Sequence, residues 1–210
     1  MAAALVLLVG LGVAAAPAAD VVPLGWEVSS ASKDFAAFLD RQVSRSGKGS
    51  GSIKSVVAEP EGEGTLLQTF AVGLYRGRRV RMTGYLKTAA ATSAQLWMRL
   101  DGADQTLASD TMAKRPITGT GDWVKCELVL EVPLAAINIT IGALLRGTGQ
   151  LWCDDVKFEI VGQGVPVTDP SGELAKPGKS DDQDAAVNRA PRFKPAKSRQ
   201  PRNLGFEEGG

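Results

Sequence analysis

The strongest constraint on the fold is a period-two alternation of apolar and polar residues along the middle of the chain. It is clearest in residues 79–87, 94–101 and 123–132, and residues 137–141 and 150–161 continue it. Such alternation is typical of strands with one buried face. We therefore predict an all-β fold, an antiparallel β-sandwich of the jelly-roll kind whose two sheets share a core. The only helical candidate is short, at residues 33–41.

The residues predicted to face the core are the apolar residues at alternate positions of these strands. They are Val80, Met82, Leu86, Leu96, Met98, Leu100, Cys126, Leu128, Leu130, Val132, Trp152, Val156, Phe158 and Ile160. Trp26 and Trp123 are interpreted, like Trp152, as core or rim aromatics.

Composition excludes several function classes. The chain has no histidine, which excludes Ser-His-Asp and Cys-His catalysis and His-ligated zinc. Its net charge of +1 gives no global attraction to nucleic acid. Glu127 and Glu131 share a strand face, but they lie about 13 Å apart along the strand, too far for a glycosidase pair. The chain is therefore predicted not to be an enzyme.

Residues 1–19 resemble a secretory signal peptide, with an uncharged apolar run followed by small residues. Cleavage after Ala19 would give a secreted, periplasmic or cell-envelope protein that no longer contacts a membrane. Two alternatives stay open, because no Lys or Arg precedes the run. They are an uncleaved anchor and a trimmed start.

The mature chain divides into three parts, of which the last comprises residues 203–210. Residues 20–166 form the predicted sandwich, and residues 167–202 are a Pro-rich linker with a basic second half. That basic half is either a contact for an anionic polymer or a solvated spacer. Cys126 and Cys153 are either a disulfide or two buried thiols.

Five segments, taken in order, resemble a bacterial galactose-binding-like jelly-roll module. They are residues 75–81, 96–102, 115–120, 122–123 and 149–159. The resemblance implies a carbohydrate-binding-module-like accessory domain of a secreted multidomain protein. Residues 203–210 are similar to the opening strand of another such module. They are therefore interpreted as the start of a truncated second module, with a neighbouring domain such as a peptidase missing.

The same resemblance implies a possible structural calcium ion. In related jelly rolls an opening Phe-Glu pair and a closing Asp-Asp-Val together build such a site. Here Asp154 and Asp155 are present, and Glu27 is the candidate for the missing Glu. The alternative is that both Asp side chains bind Arg or backbone N–H groups.

A ligand site is predicted on the polar face of strand 94–101. A Trp ring can stack on a sugar, while Arg and Asp hydrogen-bond its hydroxyls. The candidate ligand-binding residues are Trp97, Arg99, Asp101, Tyr85, Asp110 and Arg115. The expected partner is a glycan. The alternatives are a spacer or interaction module that positions a neighbouring domain, and a sensor module attached to a regulator.

Overall fold

The computed structural model describes residues 21–30, 33–168 and 193–209. Nine strands and one 3-10 turn (Gly73–Tyr75) lie in these ranges. The strands are β1 (Glu27–Ser30), β2 (Phe35–Asp40), β3 (Ser50–Ser55), β4 (Glu63–Ala71), β5 (Arg79–Asp101), β6 (Thr106–Asp110), β7 (Ile117–Glu131), β8 (Asn138–Arg146) and β9 (Gln150–Val161). The predicted all-β antiparallel fold is confirmed. The described residues contain no helix long and apolar enough to cross a membrane.

The prediction of a short helix at residues 33–41 was wrong. Residues 35–40 form β2, in which Phe35, Ala37 and Leu39 are buried and the residues between them are half-buried. This is the alternation of a strand with one face on the core.

One long strand joins two layers. Hydrogen bonding runs in the order β1-β4-β8-β5-β9-β3-β2, with β6 and β7 also paired to β5. Residues 79–89 of β5 pair with β9, whereas residues 93–101 pair with β8. Ala90, between these halves, has a positive φ of 48°. The first layer is therefore β2, β3, β9, β7 and residues 79–89, and the second is β1, β4, β8, β6 and residues 93–101.

The core lies between the two layers, where β3 packs on β4 and β8. The largest fully buried side chains of the strands come from both layers. They are Ile53, Leu66, Phe70, Met82, Leu86, Leu96, Met98, Leu100, Leu128, Ile139 and Ile141. The alternation along β5 and β7 thus predicted the buried face of both strands.

A β-bulge in β9 reverses which residues face the core. Tyr85 pairs with Asp154, but Thr83 pairs with Lys157, and Asp155 has a positive φ of 49°. Because a bulge adds one residue, the period-two pattern changes face across it. Cys153 and Val156 are both buried, and Trp152 faces outward, half-buried. The prediction that Trp152 is in phase with Val156 was wrong for this reason.

Residues 193–209 return to the sandwich and complete it. Phe206 is fully buried and stacks on Trp26, with ring centroids 4.7 Å apart. Its ring occupies the space above Gly51, where even a Cβ would come within 2.6 Å of it. The backbone N–H of Val156 donates to the carbonyl of Leu204 at 3.0 Å. Residues 203–209 therefore belong to this core and do not open a second module.

The C-terminal part of the predicted linker, residues 193–202, is bonded to the sandwich. Gln68 Nε2 donates to the carbonyl of Arg202 at 3.0 Å, and the Arg202 N–H donates back to Gln68 Oε1 at 2.9 Å. The Ala71 N–H donates to the carbonyl of Ser198 at 2.7 Å. Residues 193–202 are thus part of the domain. The remainder of the predicted linker, residues 169–192, and the predicted signal peptide lie outside the described residues.

The two cysteines are buried free thiols. Cys126 pairs with Gly84 and Cys153 with Leu86, so β5 runs between them. Two strand spacings separate their backbones by about 10 Å, whereas a disulfide needs Cα atoms within about 7 Å. Of the two alternatives left by the sequence, the structure has the buried thiols.

We expect Phe206→Ala to lower the free energy of unfolding by about 3–5 kcal/mol, because it empties a fully buried aromatic site. Urea denaturation of the full chain measures this. Glu208→Ala, an exposed position in the same segment, is the matched control and should change stability by less than about 0.5 kcal/mol. Equal stabilities of the two variants would contradict the placement of Phe206 in the core.

We expect both thiols to resist a thiol reagent such as dithionitrobenzoate until the chain is denatured. Burial raises the pKa of Cys126 to about 11, partly offset by Arg115, and burial also raises the pKa of Cys153. The thiolate fraction at pH 8 is therefore small in the folded state. Denaturation after air exposure should release both thiols for titration. Fewer than two per chain would contradict the separation by β5.

Candidate functional site

The outer side of the second layer carries the residues around which a ligand site was predicted. The residues of this surface, which we call the Trp97 face, come from three neighbouring strands. They are Gln95, Trp97 and Arg99 of β5, Thr140, Gly142 and Leu144 of β8, and Leu67 and Thr69 of β4. Direct pairing aligns them in rows that cross the strands, with Trp97, Gly142 and Leu67 in one row.

The Trp97 indole forms the floor of this face. A Cβ at Gly142 would lie 2.7 Å from Trp97 Nε1 and 2.6 Å from the Leu66 carbonyl oxygen, so the ring lies on the glycine. Only 8% of Trp97 is exposed. Its side chain faces outward, as the alternation predicted, but its ring is not an open platform.

The indole N–H of Trp97 is a hydrogen-bond donor without an acceptor among the described residues. Among the described residues, Trp97 Nε1 and Thr88 Oγ1 are the buried side-chain polar atoms that have no hydrogen-bond partner. A buried polar group without a partner costs about 1–3 kcal/mol, so such groups require a specific explanation. One such explanation for Trp97 is an acceptor atom supplied by a ligand that binds on this face.

Arg99 is held beside Trp97 by three contacts. Its Nε lies 3.0 Å from Asp101 Oδ1, and its guanidinium carbon is 5.9 Å from the Trp97 ring centroid and 5.6 Å from that of Phe193. Asp101 is buried and also accepts a hydrogen bond from Thr106. The side chain of Arg99 is 38% exposed, and its two terminal nitrogens have no acceptor in the described ranges. These contacts fix the guanidinium while leaving donors free.

A ridge of the returning chain bounds one end of the Trp97 face. Asp101, Asn138 and Ala71 form the last row of the three strands. Asn138 Nδ2 donates to the carbonyl of Lys194 at 2.8 Å, and the Ala196 N–H donates to Asn138 Oδ1 at 2.9 Å. With the Ala71 to Ser198 bond, residues 193–198 cross the sheet along this row. The ridge places Phe193 beside Arg99.

The structure brings together only part of the predicted ligand-binding set. Trp97, Arg99 and Asp101 share one face. Tyr85 belongs to the first half of β5, so it faces out from the first layer, where Arg45 stacks 3.6 Å above its ring centroid. The outer faces of the two layers point in opposite directions.

Asp110 and Arg115 form a separate, structural contact. Asp110 pairs with the core residue Met98, and its buried carboxylate accepts bonds from Arg115 at 2.6 Å and from the Met112 N–H at 2.9 Å. Thr168 also donates to it. This carboxylate ties the loop after β6 to the end of the first layer and does not reach the Trp97 face.

The Asp154-Asp155 pair binds backbone and arginine groups. Asp154 Oδ2 accepts the N–H groups of Arg45 at 2.8 Å and Ser46 at 3.1 Å. Asp155 binds the Arg45 guanidinium and accepts the Ser46 hydroxyl at 2.6 Å. Burial raises the pKa of Asp154, whereas for Asp155 the effect of burial is outweighed by the bonds from Ser46 and Arg45, which lower its pKa.

Calcium binding by Asp154, Asp155 and Glu27 stays a prediction, and these contacts give the two aspartates other partners. The described residues contain no group of three or more His, Cys, Asp or Glu placed to hold a metal ion. Glu27 is exposed on β1. The glutamate beside this loop is Glu207, whose carboxylate accepts the Lys48 N–H at 3.0 Å. The residues around Asp154 fit the alternative considered above, in which the carboxylates bind Arg and N–H groups.

Sequence reasoning missed several residues of the Trp97 face. Thr140 and Gly142 follow directly from the alternation of the isoleucines on β8, so their signal was present. Gly142 is needed because no side chain fits under the indole. Phe193 had no local signal, because its position depends on the chain returning from a distant point.

Comparison with known proteins gives one curated relative and many similar folds. No family model matches the chain. Over 188 residues the chain is 37% identical to a protein of Bacillus subtilis (strain 168) described as the uncharacterized HTH-type transcriptional regulator YbfP. The match covers 88% of this chain and 57% of the relative, so the chain spans little more than half of that protein's length.

Two solved structures illustrate the shared jelly-roll fold. The enzymatically active domain of tailspike protein 4 of bacteriophage CBA120 aligns with a TM-score of 0.54 at 14% identity, over 66% of this chain and 20% of that one. The CBM22-1–GH10 modules of Clostridium thermocellum xylanase 10B, complexed with xylohexaose, align with a TM-score of 0.50 at 14% identity, over 68% and 27%. At this identity the likeness establishes the fold alone.

We expect Gly142→Ala to destabilise the domain by about 1–3 kcal/mol, because the added methyl meets the Trp97 ring and a backbone carbonyl that is fixed in the β-ladder. Chemical denaturation with tryptophan fluorescence measures it. Gly164→Ala is the control, since a Cβ there has open space. Equal stability of Gly142→Ala and the parent chain would mean that the indole does not lie on this glycine.

Proposed function

We propose that this domain binds carbohydrate on the Trp97 face and catalyses no reaction there. The observation that carries the proposal is the buried, unpartnered N–H of Trp97 next to the fixed guanidinium of Arg99. Among the described residues the Trp97 N–H has no acceptor, and the Arg99 guanidinium bonds to Asp101 through Nε alone, on the same outer side of the sheet. A ligand rich in acceptor oxygens satisfies them together.

The chemistry of the face fits a polyhydroxylated ligand. Sugar hydroxyls accept bonds from an indole N–H and from a guanidinium, and they exchange bonds with threonine hydroxyls. One row from Trp97, the half-buried Thr69 is hydrogen-bonded at 3.0 Å to the buried Thr140, so Thr69 is the threonine that a ligand reaches. Leu67 and Phe193 supply half-buried apolar surface at the edges, which suits the C–H groups of a sugar ring.

The fold supports the proposal. The xylanase that aligns with this chain contains a carbohydrate-binding module of the same fold, in a structure complexed with xylohexaose. A fold hosts many functions, so the proposal depends on the site.

A second candidate concerns the context in which the domain works. The 37% identity to a protein named as an HTH-type transcriptional regulator supports a ligand-sensing domain within a regulator. The alternative from the sequence is an exported accessory domain. Cell fractionation and N-terminal sequencing of the native protein distinguish them. A chain that begins at Asp20 outside the cytoplasm supports export, and an unprocessed cytoplasmic chain supports the regulator.

We expect Arg99→Lys to weaken glycan binding about 10-fold or more, because lysine keeps the charge opposite Asp101 but lacks the two terminal nitrogens. A soluble-glycan array identifies the ligand, and isothermal titration of the full chain measures the dissociation constants. Arg81→Lys is the matched control, since Arg81 is ion-paired to Glu159 on the outer side of the first layer. An array without any hit, or equal affinities of Arg99→Lys and the parent chain, would contradict the proposal.

A further inference from the structure

The outer side of the first layer carries a tryptophan whose side chain reaches across a neighbouring strand. The β-bulge at Asp155 turns Trp152 outward, where it pairs with Ser52 of β3 and Lys87 of β5. Trp152 Nε1 donates to Asp40 Oδ2 of β2 at 2.8 Å. Since β3 runs between β9 and β2, the indole must cross β3 to reach this carboxylate. Its inner face therefore covers small side chains, and Ser50 and Ser52 are fully buried.

Aromatic residues continue across the sheet on both sides of Trp152. Phe38 of β2 pairs with Ser52, so it lies in the same row. On the other side, β7 has a register irregularity opposite Lys87, where it carries Asp122 and Trp123. Phe38, Trp152 and Trp123 are all half-buried. They stand on every second strand, so their backbones are about 10 Å apart. The backbones of the first and last strands of the row are about 19 Å apart.

Polar side chains lie between these rings. Lys54 Nζ is 5.0 Å from the Phe38 ring centroid, and Gln150 Nε2 donates to Ser52 at 2.8 Å. Lys87 pairs with the exposed Asp122 at 2.8 Å. The row is thus a series of apolar rings edged by hydrogen-bonding groups, and it differs from the apolar patch of a protein interface core.

We propose that Trp152, with Phe38 and Trp123, forms a second carbohydrate-binding surface that takes the flat face of an extended polysaccharide chain. The rings stack on the apolar C–H faces of sugar rings, and Lys54, Lys87 and Asp122 bond to hydroxyls at their edges. Aromatic rings on alternate strands suit an extended sugar chain laid across the strands. Because packing in an insoluble polysaccharide holds its surface chains extended, the occupant is the surface of an insoluble polysaccharide.

This surface is separate from the Trp97 face, because the two outer faces of a sandwich point in opposite directions. The test mixes the full chain with suspensions of microcrystalline cellulose, chitin and insoluble xylan, and measures depletion from the supernatant. We expect binding to at least one suspension, with Trp152→Ala raising the dissociation constant about 10-fold or more. Trp152→Phe, which keeps a ring, should raise it less. The same loss is expected when Trp152→Ala is made in the Arg99→Lys background, where the contribution of the Trp97 face is removed.

Lys125→Ala is the control on the same side of the first layer, and thermal unfolding of each variant checks that the fold is kept. The proposal is wrong if the parent chain binds none of the suspensions, or if folded Trp152→Ala and Trp152→Phe bind as the parent does. It is also wrong if Trp152→Ala has no effect in the Arg99→Lys background while that background still binds a suspension. Light scattering that shows a parent dimer and a Trp152→Ala monomer would assign the surface to self-association instead. Soluble-glycan titration of Arg99→Lys tests the Trp97 face independently of these outcomes.

Discussion

The arrangement of both layers depends on β5, a strand of 23 residues that pairs with four other strands. Its first half is hydrogen-bonded to β9 and its second half to β8, and the change occurs around Ala90. Each half keeps one face on the common core, so the outward residues of the two halves point in opposite directions. Tyr85 and Trp97 were predicted as parts of one site because both are outward residues. The corner at Ala90 places them on opposite surfaces.

A second local feature, the bulge at Asp155, decides the surface of the first layer. Asp tolerates the left-handed backbone conformation better than most residues, so Asp155 takes the extra position in β9. The carboxylate of Asp154 then binds the N–H groups of residues 45 and 46, which holds the neighbouring loop against the bulge. Trp152 faces outward as a result. The two carboxylates that suggested a metal site therefore stabilise a change of strand face.

The period-two alternation predicted the buried faces of strands whose conformation is set by their own sequence. The alternation in β5 and β7 gave Met82, Leu96 and Leu128 as core residues, and all three are fully buried. The outward position of Trp97 followed from the same rule. What it could not give are contacts between distant parts of the chain. Phe206 packs on Trp26 across 180 residues of sequence. The resemblance of residues 203–210 to an opening strand does not indicate that they fill the core of this same domain.

The two tryptophans illustrate how one residue type serves different recognition chemistry. Trp97 is buried, and its N–H has no partner among the described residues, so the first proposal assigns it a directed hydrogen bond. Trp152 is half-buried and its N–H is bonded to Asp40, so the second proposal assigns it stacking area. The ridge at residues 193–198 also links the Trp97 face to folding, because Phe193 touches Arg99 while Asn138 holds the backbone of the ridge. Under the proposed function, a ligand on that face would bind only when the returning chain is in place, and its binding to the folded state alone would stabilise that state by mass action. The proposed function therefore couples occupancy of the Trp97 face to docking of the C-terminal segment.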